Sequence, residues 1–77
     1  MHEIFEDHYE DLQISPSADQ ETIERVYRLL AKRYHPDNNG SGSVEKFDII
    51  TKAYKVLCQP EKRAAYDATY TEKKERV

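Results

Sequence analysis

Arg25-Val26-Tyr27-Arg28-Leu29-Leu30-Ala31-Lys32-Arg33-Tyr34-His35-Pro36-Asp37 is the stretch that decides the fold. Together with Ile23, residues Val26, Tyr27, Leu30, Ala31 and Tyr34 recur at the spacing of one helix face, which predicts an amphipathic helix. Pro36 sets its end. The proline ring disfavours helical geometry at the preceding residue, so the helix stops at or near Tyr34. At the other end, Ser17 with Gln20 fits a capping box, and Asp19 is an alternative cap. Acidic Asp19, Glu21 and Glu24 come early and Arg25, Arg28, Lys32 and Arg33 come late. That order suits the helix dipole.

Downstream lies a polar stretch, Asn38 to Ser43, holding both glycines of the chain in Gly40-Ser41-Gly42-Ser43. Its glycines and asparagines can turn the chain sharply. A further helix is expected from about Val44 to Leu57, with Phe47, Ile50, Tyr54 and Leu57 as its buried stripe. A short loop between two amphipathic helices favours an antiparallel hairpin. Pro60 is well placed at a first helical position, and the helix it opens is expected to reach roughly Tyr66-Asp67. Upstream, a short helix is expected at about Tyr9 to Leu12, ending before Ser15-Pro16. Strand signals are poor. The fold class is therefore all-α: four helices, the second and third as an antiparallel hairpin. One domain is expected over residues 1–70, with residues 71–77 a charged tail or linker stub.

A chain of 77 residues forms one small domain. Its net charge of -3, from 12 basic and 15 acidic residues, gives no general attraction to nucleic acid or to an anionic membrane. An electrostatic partner must be met by a local patch. The lone Cys58 excludes an internal disulfide and a cysteine-rich zinc site, and reads as a small, partly buried filler at a helix end. No apolar run is long enough for a membrane span. The acidic opening Met1-His2-Glu3-Ile4-Phe5-Glu6-Asp7 lacks the pattern of a signal peptide, so a cytoplasmic location is expected.

His35-Pro36-Asp37 sits where the long helix gives way to the polar loop. Pro36 stiffens the exit and fixes how its neighbours project. His35 offers a donor and an acceptor nitrogen, and Asp37 a carboxylate able to take an arginine in two-pronged fashion. Such a tip suits docking better than catalysis, because no nucleophile or second base lies nearby in sequence. His2, His8 and His35 lack a paired ligand spacing, so no metal is expected. Arg25, Arg28 and Lys32 form one stripe of the helix. Glu21 and Glu24 can pair with Arg25 and Arg28 in the ordinary stabilising way, so a plain solvated face competes with a partner surface. Tyr27, Tyr34, Phe47, Tyr54 and Tyr66 are expected in the core, Tyr27 with its hydroxyl reaching the edge of the stripe. Leu29 flanks the stripe, as a harmless exposed leucine or an apolar contact for a partner.

The run Tyr34-His35-Pro36-Asp37 resembles the signature of the J-domain (DnaJ-like) family. Tyr9-Glu10-Asp11-Leu12, Ala18-Asp19 through Ala31, Lys46-Phe47, Ala53-Tyr54-Lys55-Val56-Leu57 and Pro60-Glu61-Lys62-Arg63-Ala64-Ala65-Tyr66-Asp67 resemble its four helices. The resemblance covers about residues 8 to 67. It implies a co-chaperone without enzymatic activity of its own, which docks on a DnaK (heat-shock 70) type chaperone ATPase and stimulates ATP hydrolysis. Carried over by position, Tyr27, Arg28, Lys32 and Arg33, with Arg25 beside them, belong to or border the contact surface. His35, Pro36 and Asp37 form the trigger, with Asp37 pairing to a chaperone arginine. No cofactor, no nucleic acid and a monomeric domain are expected.

The chain also departs from the family pattern. Glu24 and Leu29 stand where many members carry basic residues, Asn38 where Lys or Arg is common, and Asp48 where Lys is frequent. These changes imply weaker or more selective docking with strong salt dependence. Gln13 replaces a usual Gly and Gln59 a usual Asp before Pro60. Two other readings stay open: a J-like module with a different protein partner, and a small helical nucleic-acid binder.

Overall fold

The computed structural model describes residues 6–75, with side chains described for residues 6–72. Most of the acidic opening and the last two residues of the expected tail therefore lie outside the described residues. The described chain holds four helices and no strand: α1 (His8–Asp11), α2 (Gln20–Tyr34), α3 (Val44–Leu57) and α4 (Pro60–Glu75). This is the all-α architecture expected from the sequence.

Local chemistry explains each boundary. Asp7 caps α1 by accepting from the Glu10 N–H at 3.1 Å. The helix then closes in a Schellman motif: Ile14 N–H donates to the Tyr9 carbonyl and Gln13 N–H to that of Glu10, both at 2.9 Å. That motif requires a left-handed residue after the C-cap, and Gln13 takes it at φ 58. Asp19, not Ser17, caps α2, with its carboxylate accepting from the Thr22 N–H at 2.7 Å. Ser17 bonds with the Ser15 hydroxyl at 2.8 Å in the preceding turn, too early in the chain to serve the first helical N–H groups. The bond from Thr22 holds the Asp19 carboxyl below its ordinary range. Ser43 caps α3 through the Lys46 N–H at 3.2 Å.

Helix α3 is the centre of the bundle, and α1, α2 and α4 each pack on it. The buried core is Tyr9 and Leu12 from α1 and its cap, Ile23 and Leu30 from α2, and Ile50, Ala53 and Leu57 from α3. Tyr54 packs half-buried against it rather than inside it, and Phe47 is half-buried beside His35. The α2–α3 hairpin is antiparallel. Gln20 at the start of α2 donates to the Leu57 carbonyl at 3.0 Å. In mid-helix, the Tyr27 and Tyr54 rings stack at 4.0 Å with 4° between their planes. At the far end, the Lys46 ammonium lies 5.0 Å from the centre of the Tyr34 ring.

Among the described residues α4 supplies no fully buried side chain; Tyr66 and Tyr70 pack on the core half-buried, and a polar clasp holds the helix. The Arg63 guanidinium donates to the Tyr9 hydroxyl at 3.0 Å, to the Gln20 carboxamide oxygen, and to the carbonyls of Pro16 and Ala18. The Tyr9 hydroxyl in turn donates to Asp67. Past Asp67 the helix continues to Glu75, about two turns further than the expected end. Tyr70 supplies a reason: its ring packs edge-on against Tyr9 at 5.1 Å and 81°, so the added turn gains an aromatic contact with α1.

Candidate partner-docking site

The end of α2 and the loop after it place the sequence-predicted tip. His35 is the C-cap residue, at φ -54 and ψ 134, the extended conformation that a following proline imposes. The helix stops at Tyr34 as the proline rule requires. Pro36 and Asp37 lie in a turn, and all three tip residues are exposed, Asp37 with a side chain 93% accessible.

Pro36 creates a second demand. Had α2 continued, the N–H at position 36 would have bonded the Lys32 carbonyl, and proline has none to give. The loop meets the demand from downstream. Asn38 donates its carboxamide hydrogens to the Lys32 and Arg33 carbonyls at 3.2 and 3.1 Å. Ser41 donates its hydroxyl to Arg33 at 2.7 Å, Ser43 its N–H to Tyr34 at 2.9 Å, and Asn38 its N–H to His35 at 2.8 Å. The loop is thus folded back over the end of α2, and its hydrogen bonds fix where the tip points. Gly42 is needed at the closest approach: a Cβ there would stand 2.5 Å from the His35 carbonyl oxygen and 2.6 Å from that of Asn38.

The imidazole is held on two sides. Its Nδ1 accepts from the Asp37 N–H at 3.2 Å, a bond of the tautomer that carries its proton on Nε2. The edge of the ring system meets Phe47 of α3 at 5.5 Å and 80°. The Asp37 carboxylate lies 3.8 Å from the same Nδ1 and keeps its acceptor capacity toward solvent. The pair presents one donor and one two-pronged acceptor side by side, suited to a partner that offers an acceptor and an arginine.

The basic face of α2 divides in two. Arg25 is paired with Glu21 at 2.7 Å and Arg28 with Glu24. Lys32 and Arg33 have no ion-pair partner among the described residues and lie beside the tip. Four cations on the face therefore act as about two unscreened ones, concentrated at the C-terminal end. Tyr27 is half-buried by its stack on Tyr54, and its hydroxyl stands 3.4 Å from that of Thr51 on α3. It borders the face as part of the hairpin packing. Leu29 is 57% exposed, with Arg25, Lys32 and Arg33 as its neighbours one turn away on the helix.

Sequence reasoning missed Asn38, Ser41, Gly42 and Phe47 as supports of the tip. Asn38 carried a readable signal: a proline one residue past a helix end leaves a carbonyl wanting a donor, and a carboxamide two residues on can supply it. Among the described residues no group of three or more His, Cys, Asp or Glu is placed to hold a metal ion, and no helix is long and apolar enough to cross a membrane.

The model of the DnaJ domain family matches residues 7–67. Chaperone protein DnaJ of Lacticaseibacillus casei is 52% identical over 62 residues, covering 79% of this chain and 16% of that protein. The protein of the same name from Thermosynechococcus vestitus is 53% identical over 62 residues, 79% of this chain and 17% of the relative. A protein named Curved DNA-binding protein from Pseudomonas syringae pv. tomato is 47% identical over 64 residues, 82% of this chain and 20% of the relative. The chain spans about a fifth or less of the length of these relatives.

Proposed function

This chain belongs to the DnaJ domain family, and from that premise we propose that it is a co-chaperone module. It docks on a DnaK (heat-shock 70) type chaperone through the His35-Pro36-Asp37 tip and the basic end of α2, and stimulates that partner's ATP hydrolysis. The module comprises residues 1–70 in this reading, Tyr70 being the last described residue whose ring packs on α1. ATP is split by the partner, and this chain acts as its activator. The observation that carries the reading is the exposed His35–Asp37 pair, set on a proline-stiffened corner next to Lys32 and Arg33, which have no ion-pair partner among the described residues. Arg25, Arg28 and Tyr27 flank the contact. To stimulate hydrolysis, the module must bind the hydrolysis-competent state of the partner better than the resting state.

Single-turnover ATP hydrolysis by a DnaK-type chaperone tests this. The intact chain accelerates the step; His35→Gln and Asp37→Asn variants, both at exposed positions, keep the fold and lose the acceleration. Equal stimulation by the variants would remove the trigger role from the tip. The Glu21–Arg25 and Glu24–Arg28 pairs favour a second reading, an interaction module of this family with a different protein partner. Absence of stimulation by the intact chain across several DnaK-type chaperones would select it.

A further inference from the structure

Two consecutive asparagines follow the tip, and the fold treats them differently. The Asn38 carboxamide is engaged by the Lys32 and Arg33 carbonyls, and its main chain bonds His35 and Gly42. The Asn39 side chain is exposed and makes no hydrogen bond among the described residues. The next residue is Gly40, in the left-handed region at φ 96, with no atom within 4 Å of where a Cβ would stand. Its N–H finds no acceptor among the described residues. A free carboxamide thus precedes an unhindered, unbonded backbone amide, at an exposed loop tip where local freedom is greatest.

We infer that Asn39 is a site of spontaneous deamidation, with Asn38 spared. The Gly40 nitrogen, having given its proton to hydroxide, attacks the Asn39 side-chain carbonyl carbon. The new C–N bond closes a five-membered succinimide, and the side-chain nitrogen leaves as ammonia. Water then opens the ring at either carbonyl, giving aspartate or isoaspartate. Asn38 cannot follow easily. Its carboxamide is held by two carbonyls, and its attacking nitrogen would belong to Asn39, which carries a side chain. Asparagine is a thermolabile residue for this kind of reason.

The consequence rests on the docking reading proposed above. Each event adds a carboxylate two residues beyond Asp37, offsetting the positive charge of Lys32 and Arg33 that the docking reading places in the contact. The isoaspartate product also lengthens the main chain inside the loop that orients His35. Modified chains dock more weakly, so the loop carries an irreversible timer on co-chaperone action.

The full chain, incubated folded and in denaturant in mildly alkaline buffer, tests the site. Tryptic peptide Tyr34–Lys46 carries both asparagines, and fragment masses separate them; enzymatic methylation reports isoaspartate. Asn39 reacts at least about tenfold faster than Asn38, and in the folded chain at a rate within about threefold of the denatured one, since exposed loops offer little protection. Equal reaction at both residues, or protection of Asn39 by folding of about tenfold or more, overturns the site. For the consequence, Asn39→Asp is compared with Asn39→Gln in ATPase stimulation. Weaker stimulation by Asn39→Asp, growing as salt is lowered, supports it, and equal stimulation overturns it. Should neither variant nor the parent chain stimulate any DnaK-type ATPase, the docking reading fails, while the mass measurement decides the chemistry separately.

Discussion

Arg63 donates its Nε hydrogen to the Tyr9 hydroxyl at 3.0 Å, and α4 is fastened to α1 through that bond. The Arg63 side chain is only 15% accessible, so breaking the contact leaves a largely desolvated cation short of an acceptor. Tyr9→Phe is expected to cost about 2 kcal/mol and Arg63→Ala about 3 kcal/mol of unfolding free energy, the range for hydrogen bonds to charged groups. Urea denaturation measures both. A loss under about 0.5 kcal/mol for each, the size of an ordinary surface change, would mean that the clasp contributes nothing net.

Gln13→Gly is expected to stabilise the fold. Gln13 occupies the left-handed region at φ 58, where a side chain costs about 1–2 kcal/mol and glycine nothing. Glycine also loses more freedom on folding, leaving a net gain of roughly 0.5–1 kcal/mol. A higher denaturation midpoint with unchanged slope is the expected result.

Asn38 and Gly42 should matter to docking without touching the partner. Asn38→Asp replaces a double donor by an acceptor facing the Lys32 and Arg33 carbonyls. It should destabilise more than Asn38→Ala, which costs about 1 kcal/mol for the lost bonds. Gly42→Ala puts a methyl group 2.5 Å from the His35 carbonyl and must shift the loop. Asn38→Asp and Gly42→Ala should each lower ATPase stimulation while His35 and Asp37 are intact. Full stimulation by Gly42→Ala would show that the tip tolerates a displaced loop.

The aromatic seam between α1 and α4 predicts an alkaline limit. Burial pushes the Tyr66 phenol up to about 12 from 10.0. The folded state therefore favours the protonated phenol. Its stabilising contribution is complete below pH 10.0 and is lost as pH rises toward about 12, where the unfolded chain ionises first. Midpoints measured across that window should fall, and Tyr66→Phe should flatten the decline. A Tyr66→Phe profile parallel to the parent's would assign the decline to other groups.

The split face of α2 predicts weak docking that salt weakens further. Leu29→Arg adds a cation beside Arg25, Lys32 and Arg33 on an exposed site. It should leave stability within about 0.5 kcal/mol, tighten docking at low salt and steepen the salt dependence. An affinity of the parent chain that is the same at low and high salt would refute the electrostatic account.

Much of this molecule is legible in its sequence, and the rest has physical causes. The start and end of α3 and the end of α2 are readable, because Pro36, the polar stretch Asn38 to Ser43 and the 3.6-residue spacing act locally. The end of α4 is not. Its continuation to Glu75 rides on Tyr70 meeting Tyr9, a contact between residues far apart in sequence that no local pattern encodes. The α2 cap went to Asp19 over Ser17 by a difference of two positions, below what residue preference resolves. At the site, the end of α2 before His35 follows from the proline. The return of the loop onto α2 uses the carboxamide of Asn38, a residue legible in sequence as a turn former and a missing charge but not as a donor to the helix end.

The Glu21–Arg25 and Glu24–Arg28 pairs have one more effect. They silence the near half of the rod, so the molecule's outward field on this face is that of a magnet with a single working pole, at Lys32 and Arg33. A negatively charged body drawn in by diffusion would be turned before it touches, and it would arrive over the corner first.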